Sequence, residues 1–219
     1  MATKKIKTPT KSDIITKYTD YCLMNGSSPA TVYKFAKDNG FEEADFYAFF
    51  SSFEMLEHQY FTEMFTYTLE MLEQSPNYVA YDGTQKLSAF YFTFFELSTA
   101  NRSFIMYLMG DGNSRMRNLL KLKELRNVFT DYAAEVLEKP LNVDNERADK
   151  AQSKALKEGA WLQFLSIFKF WMDDVSPSFE KTDIFIEKSV KASSDLVYNT
   201  PLQSLFDLGK FIWKEKFTA

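Results

Sequence analysis

The sequence predicts an all-α protein, and three observations carry that prediction. Apolar residues recur at i, i+3 and i+4 along most of the chain, the period of a helix with one buried face. Seven glycines and six prolines in 219 residues leave few places for the turns that a many-stranded sheet needs. No segment alternates apolar and polar residues over the length of a half-buried strand. Aromatic residues make up 17% of the chain, 22 of them phenylalanine, which supplies a large area for burial between helices.

Other bounds follow from composition. The length suffices for one large helical domain or for a small one joined to a larger one. A single cysteine, Cys22, excludes an intramolecular disulfide and a cysteine-rich metal site; it reads as a small buried apolar residue. The first residues lack the apolar centre of a signal peptide, and no apolar run spans a bilayer, so a cytoplasmic location is expected. A net charge of −4 gives no global attraction to nucleic acid.

Residues 1–11 form a polar segment carrying Lys4, Lys5, Lys7 and Lys11, read as a basic flexible arm. Ser12 is expected to cap a first helix, with Ile14, Ile15, Tyr18, Tyr21 and Cys22 on its apolar face, ending at Asn25-Gly26. Pro29 suits the first position of a second helix, in which Val32, Phe35 and Ala36 repeat at helical spacing up to Asn39-Gly40. A third, short helix carries Phe46, Phe49 and Phe50. Ser51-Ser52 then breaks the chain and caps the next helix, with Glu54 three residues after Ser51 as in a capping box. Helix, glycine turn and short helix outline a helix-turn-helix over residues 12–51, leaving 52–219 as a helical body.

This stretch resembles the DNA-binding head of the tetracycline-repressor (TetR) family. The matching positions are Thr31, Val32, Phe35, Ala36, Gly40, Phe41, Phe46, Tyr47, Phe49, Phe50, Ser52, Glu54 and Leu56, in the family's order and without a gap. By motif the resemblance covers about the first quarter of the chain. It implies DNA contacts from Thr31, Lys37, Glu42, Glu43, Tyr47 and Ser52, with Lys4 and Lys5 reaching from the arm. Two positions depart from the family's pattern. Glu42 stands where a phosphate-contacting Ser or Thr is usual, and Phe53 where a Lys is usual. From Ser12 to Tyr60 three bases (Lys17, Lys34, Lys37) face eight acids (Asp13, Asp20, Asp38, Glu42, Glu43, Asp45, Glu54, Glu57), a net of −5. Duplex DNA takes most of its protein affinity from Lys and Arg, so this balance opposes binding.

A fourth helix over about 52–73 carries Met55, Leu56, Phe61, Phe65, Leu69 and Leu72; in the resemblance it joins head to body. His58 lies on it with no second metal-ligating residue at suitable spacing, and reads as structural or solvated. After Asp82-Gly83-Thr84 a helix with Phe90, Tyr91, Phe92, Phe94, Phe95 and Leu97 is apolar on nearly every side, so central burial is expected. A short helix follows with Phe104, Ile105, Tyr107, Leu108 and Met109. Dense core and a pocket for an apolar ligand both suit these residues. The resemblance favours a pocket, lined by Phe65, Phe90, Phe94, Phe95, Phe104, Tyr107, Met109 and Phe129.

Asn113 to Glu138 reads as one long amphipathic helix with a basic face (Arg115, Arg117, Lys121, Lys123, Arg126), and Pro140 to Ala148 as a polar connection. The next helix reaches about Asp173, with small residues at Ala151, Ala155, Gly159 and Ala160. Small residues let a second helix approach closely. Another helix after Ser176-Pro177 carries Phe185, Ile186 and Val190. The resemblance implies a homodimer through these two helices, with Ala155, Gly159, Trp161, Leu162, Phe185 and Val190 at the interface. Thr200-Pro201 opens a last amphipathic helix, Leu202 to Phe217, whose Lys210, Lys214 and Lys216 would suit a membrane surface.

Nothing in the sequence forms a phosphate loop, a nucleophile elbow or a metal constellation, so a non-enzyme without cofactor or metal is expected. Asp173-Asp174 reads as a loop entry. Two functional classes remain. One is a dimeric regulator responsive to a hydrophobic small-molecule effector. The other is a lipid- or hydrophobic-ligand-binding protein that keeps the fold and has abandoned DNA, for which a lipid-binding protein of ubiquinone biosynthesis that resembles the same family is a precedent.

Overall fold

The computed structural model describes residues 8–110, 118–137 and 146–196, the last span with side chains from 150 onward. These residues form nine α-helices and three short 3-10 turns, with no strand among them. None of the described helices is long and apolar enough to cross a membrane. The expectations for Lys4, Lys5 and Lys7, for residues 111–117 and for the last helix from Thr200 lie outside the described residues.

Helix α1 spans Lys11–Asn25. Its cap is Thr10 rather than Ser12: the Thr10 hydroxyl accepts from the Asp13 amide (3.1 Å) and the Thr10 amide donates to the Asp13 carboxylate (2.9 Å). A cap at Ser12 would put Ile15 three residues on, which offers no return acceptor. Gly26 ends the helix at φ 67°, where a side chain would be strained. Helix α2, Val32–Asp38, starts at a Thr31 cap and not at Pro29. The hydroxyl of Ser28, the residue that would cap a helix beginning at Pro29, is instead hydrogen-bonded to the Tyr18 hydroxyl (3.1 Å). Helix α3 is Glu43–Tyr47 and α4 is Phe53–Glu73, capped by Ser52, whose Oγ accepts from the Met55 amide (3.1 Å).

Helices α5 (Gly83–Ala100) and α6 (Arg102–Met109) follow. The long helix expected over Asn113 to Glu138 is, in its described part, a 3-10 turn at Leu119–Leu122 and then α7, Lys123–Val136. Helix α8, Glu146–Asp173, starts inside the expected polar connection. Helix α9, Glu180–Ser194, is reached through a 3-10 turn whose Ser178 (φ 53°) and Phe179 (φ 59°) are both left-handed. Helix α5 is not buried on every side, because Phe92 is 38% exposed.

The chain divides into two compact units: residues 1–71 with 94–128, and 72–93 with 129–219. In the first, Phe53 is the hub of an aromatic core. It stacks on Tyr18 (5.0 Å between centroids) and meets Phe35 (5.5 Å) and Phe46 (5.2 Å) edge-on. Offset and edge-to-face ring pairs of this kind each add roughly 1 kcal/mol beyond area burial. In the second unit, Trp161, Phe164, Phe168 and Trp171 form one row along α8 at centroid spacings of 5.3, 6.0 and 5.8 Å. Phe129 fits against Trp161 and Phe164, and Phe90 against Phe129. At Gly83 the chain runs so close to α7 that an added Cβ would lie 2.0 Å from the Val136 carbonyl oxygen.

Candidate functional site

The stretch that carried the resemblance holds α2, α3 and the start of α4, preceded by α1. The Thr31 hydroxyl accepts from the Lys34 amide (3.1 Å), and the turn after α2 closes with the Phe41 amide on the Ala36 carbonyl (3.1 Å) and Gly40 at φ 71°. Phe35, Ala36, Phe41, Phe46 and Phe50 are all buried, so the pattern that carried the resemblance is the core of the head. Outward from it, α3 exposes Ala44, Tyr47 and Ala48, with Phe49 just beyond and Glu42 beside them. The start of α3 is closed by acids: the Glu42 amide donates to the Asp45 carboxylate (3.1 Å), and Tyr47 donates to Glu43 across one turn (3.4 Å). Carboxylates complement the positive end of a helix and occupy the place where a phosphate would be held.

Of the residues assigned to DNA contact, Thr31, Lys37, Glu42, Tyr47 and Ser52 are exposed and Glu43 is half-buried. Thr31 and Ser52 are also helix caps, and Lys37 sits over the ring of Tyr33 (5.7 Å). Phe53, in the position usual for a lysine, is committed to the aromatic core.

Behind the head lies a polar cluster that sequence reading missed. Glu57 on α4 accepts from the Tyr18 hydroxyl (2.7 Å) and pairs with Lys121 (2.7 Å), whose ammonium also donates to the Leu108 carbonyl (3.2 Å). The Glu57–Lys121 pair thus ties together four segments: α1, α4, the end of α6 and the 3-10 turn. Burial raises the Tyr18 hydroxyl far above its ordinary range, and burial likewise raises the Cys22 thiol, so neither is poised to ionise. No helical periodicity signals such a cluster, since Glu57 and Lys121 each occupy an ordinary polar position in their own segment.

The residues assigned to a pocket fall in both units. Phe65, Phe94, Phe95, Phe104, Tyr107 and Met109 belong to the first, and Phe90 and Phe129 to the second. All are buried except the half-buried Tyr107. Phe104 packs edge-on to Tyr60 (4.9 Å) and stacks with Tyr107 (6.0 Å); Phe90 and Phe129 lie 5.3 Å apart, and Phe129 lies 5.0 Å from Phe164.

On α8 and α9 the assigned interface residues separate by face. Ala155, Gly159 and Leu162 are exposed, Leu162 at 63%, whereas Trp161 and Val190 are buried in the second unit. Phe185 is half-buried and stacked on Phe170, with rings nearly parallel at 4.5 Å. This pair forms a wall of an open groove of about 390 Å³ that is also lined by Ser166, Lys169, Asp173, Asp174, Val175 and Lys181. Asp174 is more than a loop entry. It accepts from the Ser176 amide (2.8 Å), the Thr182 amide (2.9 Å) and the Thr182 hydroxyl (2.7 Å), pinning the left-handed turn to the start of α9. Burial opposes its charge, but these hydrogen bonds outweigh burial and hold the carboxyl at about 2.

His58 is half-buried, and the described residues contain no group of three or more His, Cys, Asp or Glu able to hold a metal ion. Residues 86–212 match the sequence family described as tetracyclin repressor-like, C-terminal domain. No curated protein and no solved structure matches the chain. The matched span does not overlap the head motif at residues 31–56, so the two signals are independent.

Proposed function

Since the chain belongs to the tetracyclin repressor-like family, whose C-terminal domain matches more than half of its length, we propose that it is a homodimeric, cytoplasmic regulator, with no enzymatic activity, that responds to a hydrophobic small molecule. Its head is residues 12–51 and its body residues 52–219. The observation that carries the dimer is the exposed small and apolar stripe on α8, Ala155, Gly159 and Leu162, together with Ile184 exposed on α9. The effector is taken among the rings around Phe104 or around Phe90 and Phe129, where aromatic and methionine side chains can re-pack about an apolar guest.

A specific observation favours a second reading, a lipid- or hydrophobic-ligand-binding protein with no DNA target. The α3 start is closed by Glu42 and Asp45, and the position that would supply a lysine is Phe53, half-buried and held in ring contacts. On this reading the last helix, from Thr200, contributes a membrane contact. The experiment separating the two is selection of duplex DNA from a random pool, followed by anisotropy across a salt series. A regulator acting on DNA yields a selected duplex that binds in the nanomolar range and loses affinity on Lys34→Ala and Lys37→Ala. The second reading yields only weak binding with a shallow salt slope, about −0.9 per phosphate neutralised. It also predicts a co-purifying apolar ligand, detected by mass spectrometry of a solvent extract.

A further inference from the structure

The second unit holds a buried polar group that its own chain leaves unanswered. Gln152 on α8 is 4% exposed, and neither its Oε1 nor its Nε2 has a hydrogen-bond partner. Other buried polar side chains are satisfied. Thr68 and Ser98 each donate to a carbonyl one turn back, and Thr182 donates to Asp174. Gln163, further along α8, uses its whole amide: Oε1 accepts from Tyr91 (3.3 Å) and Nε2 donates to Ser193 (3.0 Å). A buried amide without partners opposes folding, so Gln152 points to a partner from outside the chain.

The register of the helices shows where this amide lies. Helices α7 and α8 run antiparallel: Phe129 packs on Trp161 and Phe164, while Asp131, further along α7, pairs with Lys157, further back on α8. Continued in the same sense, Gln152 comes level with the last turn of α7, where Gly83 at the start of α5 meets the Val136 carbonyl. All of these residues belong to the second unit. Between the amide and the rings lie two small buried side chains, Ala133 on α7 and Ala160 on α8. Ala133 stands one turn from Phe129 on the same face, and Ala160 one turn from Phe164. From Gln152 to Trp161 the helix advances about 13 Å, enough for a ligand with a distinct head and tail.

The amide presents a donor and an acceptor side by side. Its complement is a group that offers the reverse pair: an amide with a free N–H, a lactam or an un-ionised carboxylic acid. Gln152 carries no charge to balance an ionised head at a buried position. We propose that Gln152 is the specificity-determining residue of the effector site, and that the effector is an uncharged amphiphile whose head carries an N–H or O–H beside a carbonyl. Oε1 accepts from that N–H or O–H, Nε2 donates to the carbonyl, and the tail runs toward Phe129 and Trp161. This rests on the reading that the chain takes a hydrophobic small molecule, and it assigns that molecule to the second unit.

Titration of the full-length protein, stripped of ligand, with octanamide and with N,N-dimethyloctanamide tests it, followed by indole emission. The two probes share tail and carbonyl, and only the first has an N–H. The natural protein should hold octanamide on the order of tenfold more tightly. Gln152→Leu should bind both probes equally and at the weaker level. Melting of the ligand-free protein gives a second readout: Gln152→Leu and Gln152→Met should both melt higher than the natural chain, because each removes the orphan amide and keeps its volume. A lower melting temperature in both variants would overturn the proposal, by showing the amide already satisfied in the folded chain or by bound water. Equal affinity of the natural protein for the two probes would also overturn it, while leaving an apolar effector in place. Binding of neither probe would overturn it as well, and a solvent extract without apolar ligand would then remove the effector reading with it.

Discussion

Asp174 offers the most quantitative test of how the α8–α9 junction is held. Its carboxylate accepts three hydrogen bonds, and Thr182, which donates two of them, is 1% exposed. The Asp174→Asn variant keeps the shape and removes the charge, so it mimics the protonated side chain. The carboxyl is lowered from 3.8 to about 2 on folding. A depressed acid contributes stability above its unfolded value and loses it as pH falls through its folded value. At about 1.36 kcal/mol per unit, the charged form contributes roughly 2 kcal/mol. Urea unfolding at fixed protein concentration should show Asp174→Asn less stable by roughly 2 kcal/mol at pH 7, the gap closing between about pH 4 and pH 2. A gap that stays constant from pH 5 to pH 2, or one below about 0.5 kcal/mol at pH 7, would refute the assignment of charge-assisted hydrogen bonds to this turn.

Other substitutions probe separate contacts. Ala155→Glu with Leu162→Glu places charge on the exposed stripe of α8 without touching the buried Ala160, and should convert a species of about twice 25.5 kDa in sedimentation into the single chain with little change in melting temperature. Gly83→Ala forces a methyl group into the Val136 carbonyl oxygen, a backbone atom with no rotamer to yield, and should destabilise by roughly 2 kcal/mol or more in thermal unfolding. Glu57→Gln and Lys121→Met each leave a partly buried charge without its partner, so each alone should lower stability by about 2–3 kcal/mol; the double variant should fall well short of their sum in a double-mutant cycle.

What the sequence disclosed was local. Glycines at 26 and 40 ended helices because their left-handed backbone is a property of the residue itself, and Phe35, Ala36 and Phe46 were readable as core because their spacing fixes a face. What it concealed depended on partners remote in sequence. Ser28 is an attractive cap until Tyr18 is seen to use its hydroxyl. Phe53 could be a displaced surface residue until it is seen, half-buried, in contact with three rings, and a Lys there would lose those contacts. Trp161 and Leu162 were assigned together to an interface, yet adjacent helical positions point about 100° apart, and one is buried while the other is open. The groove beside Phe170 and Phe185 needs two helices joined by a left-handed turn at Ser178 and Phe179, which no residue preference there announces.

The aromatic row on α8 has a spectroscopic consequence. Of the chain's three tryptophans, the two among the described residues, Trp161 and Trp171, both belong to the second unit and none to the first. Emission from these two indoles therefore follows the second unit. The first unit speaks through tyrosine, notably Tyr18 and Tyr60, both buried in rings and both able to give near-ultraviolet dichroism. A melt recorded by indole emission and one recorded by far-ultraviolet dichroism coincide only if both units lose their structure in a single cooperative step. A separation of the two curves would time the collapse of the head against that of α8 without any label being attached.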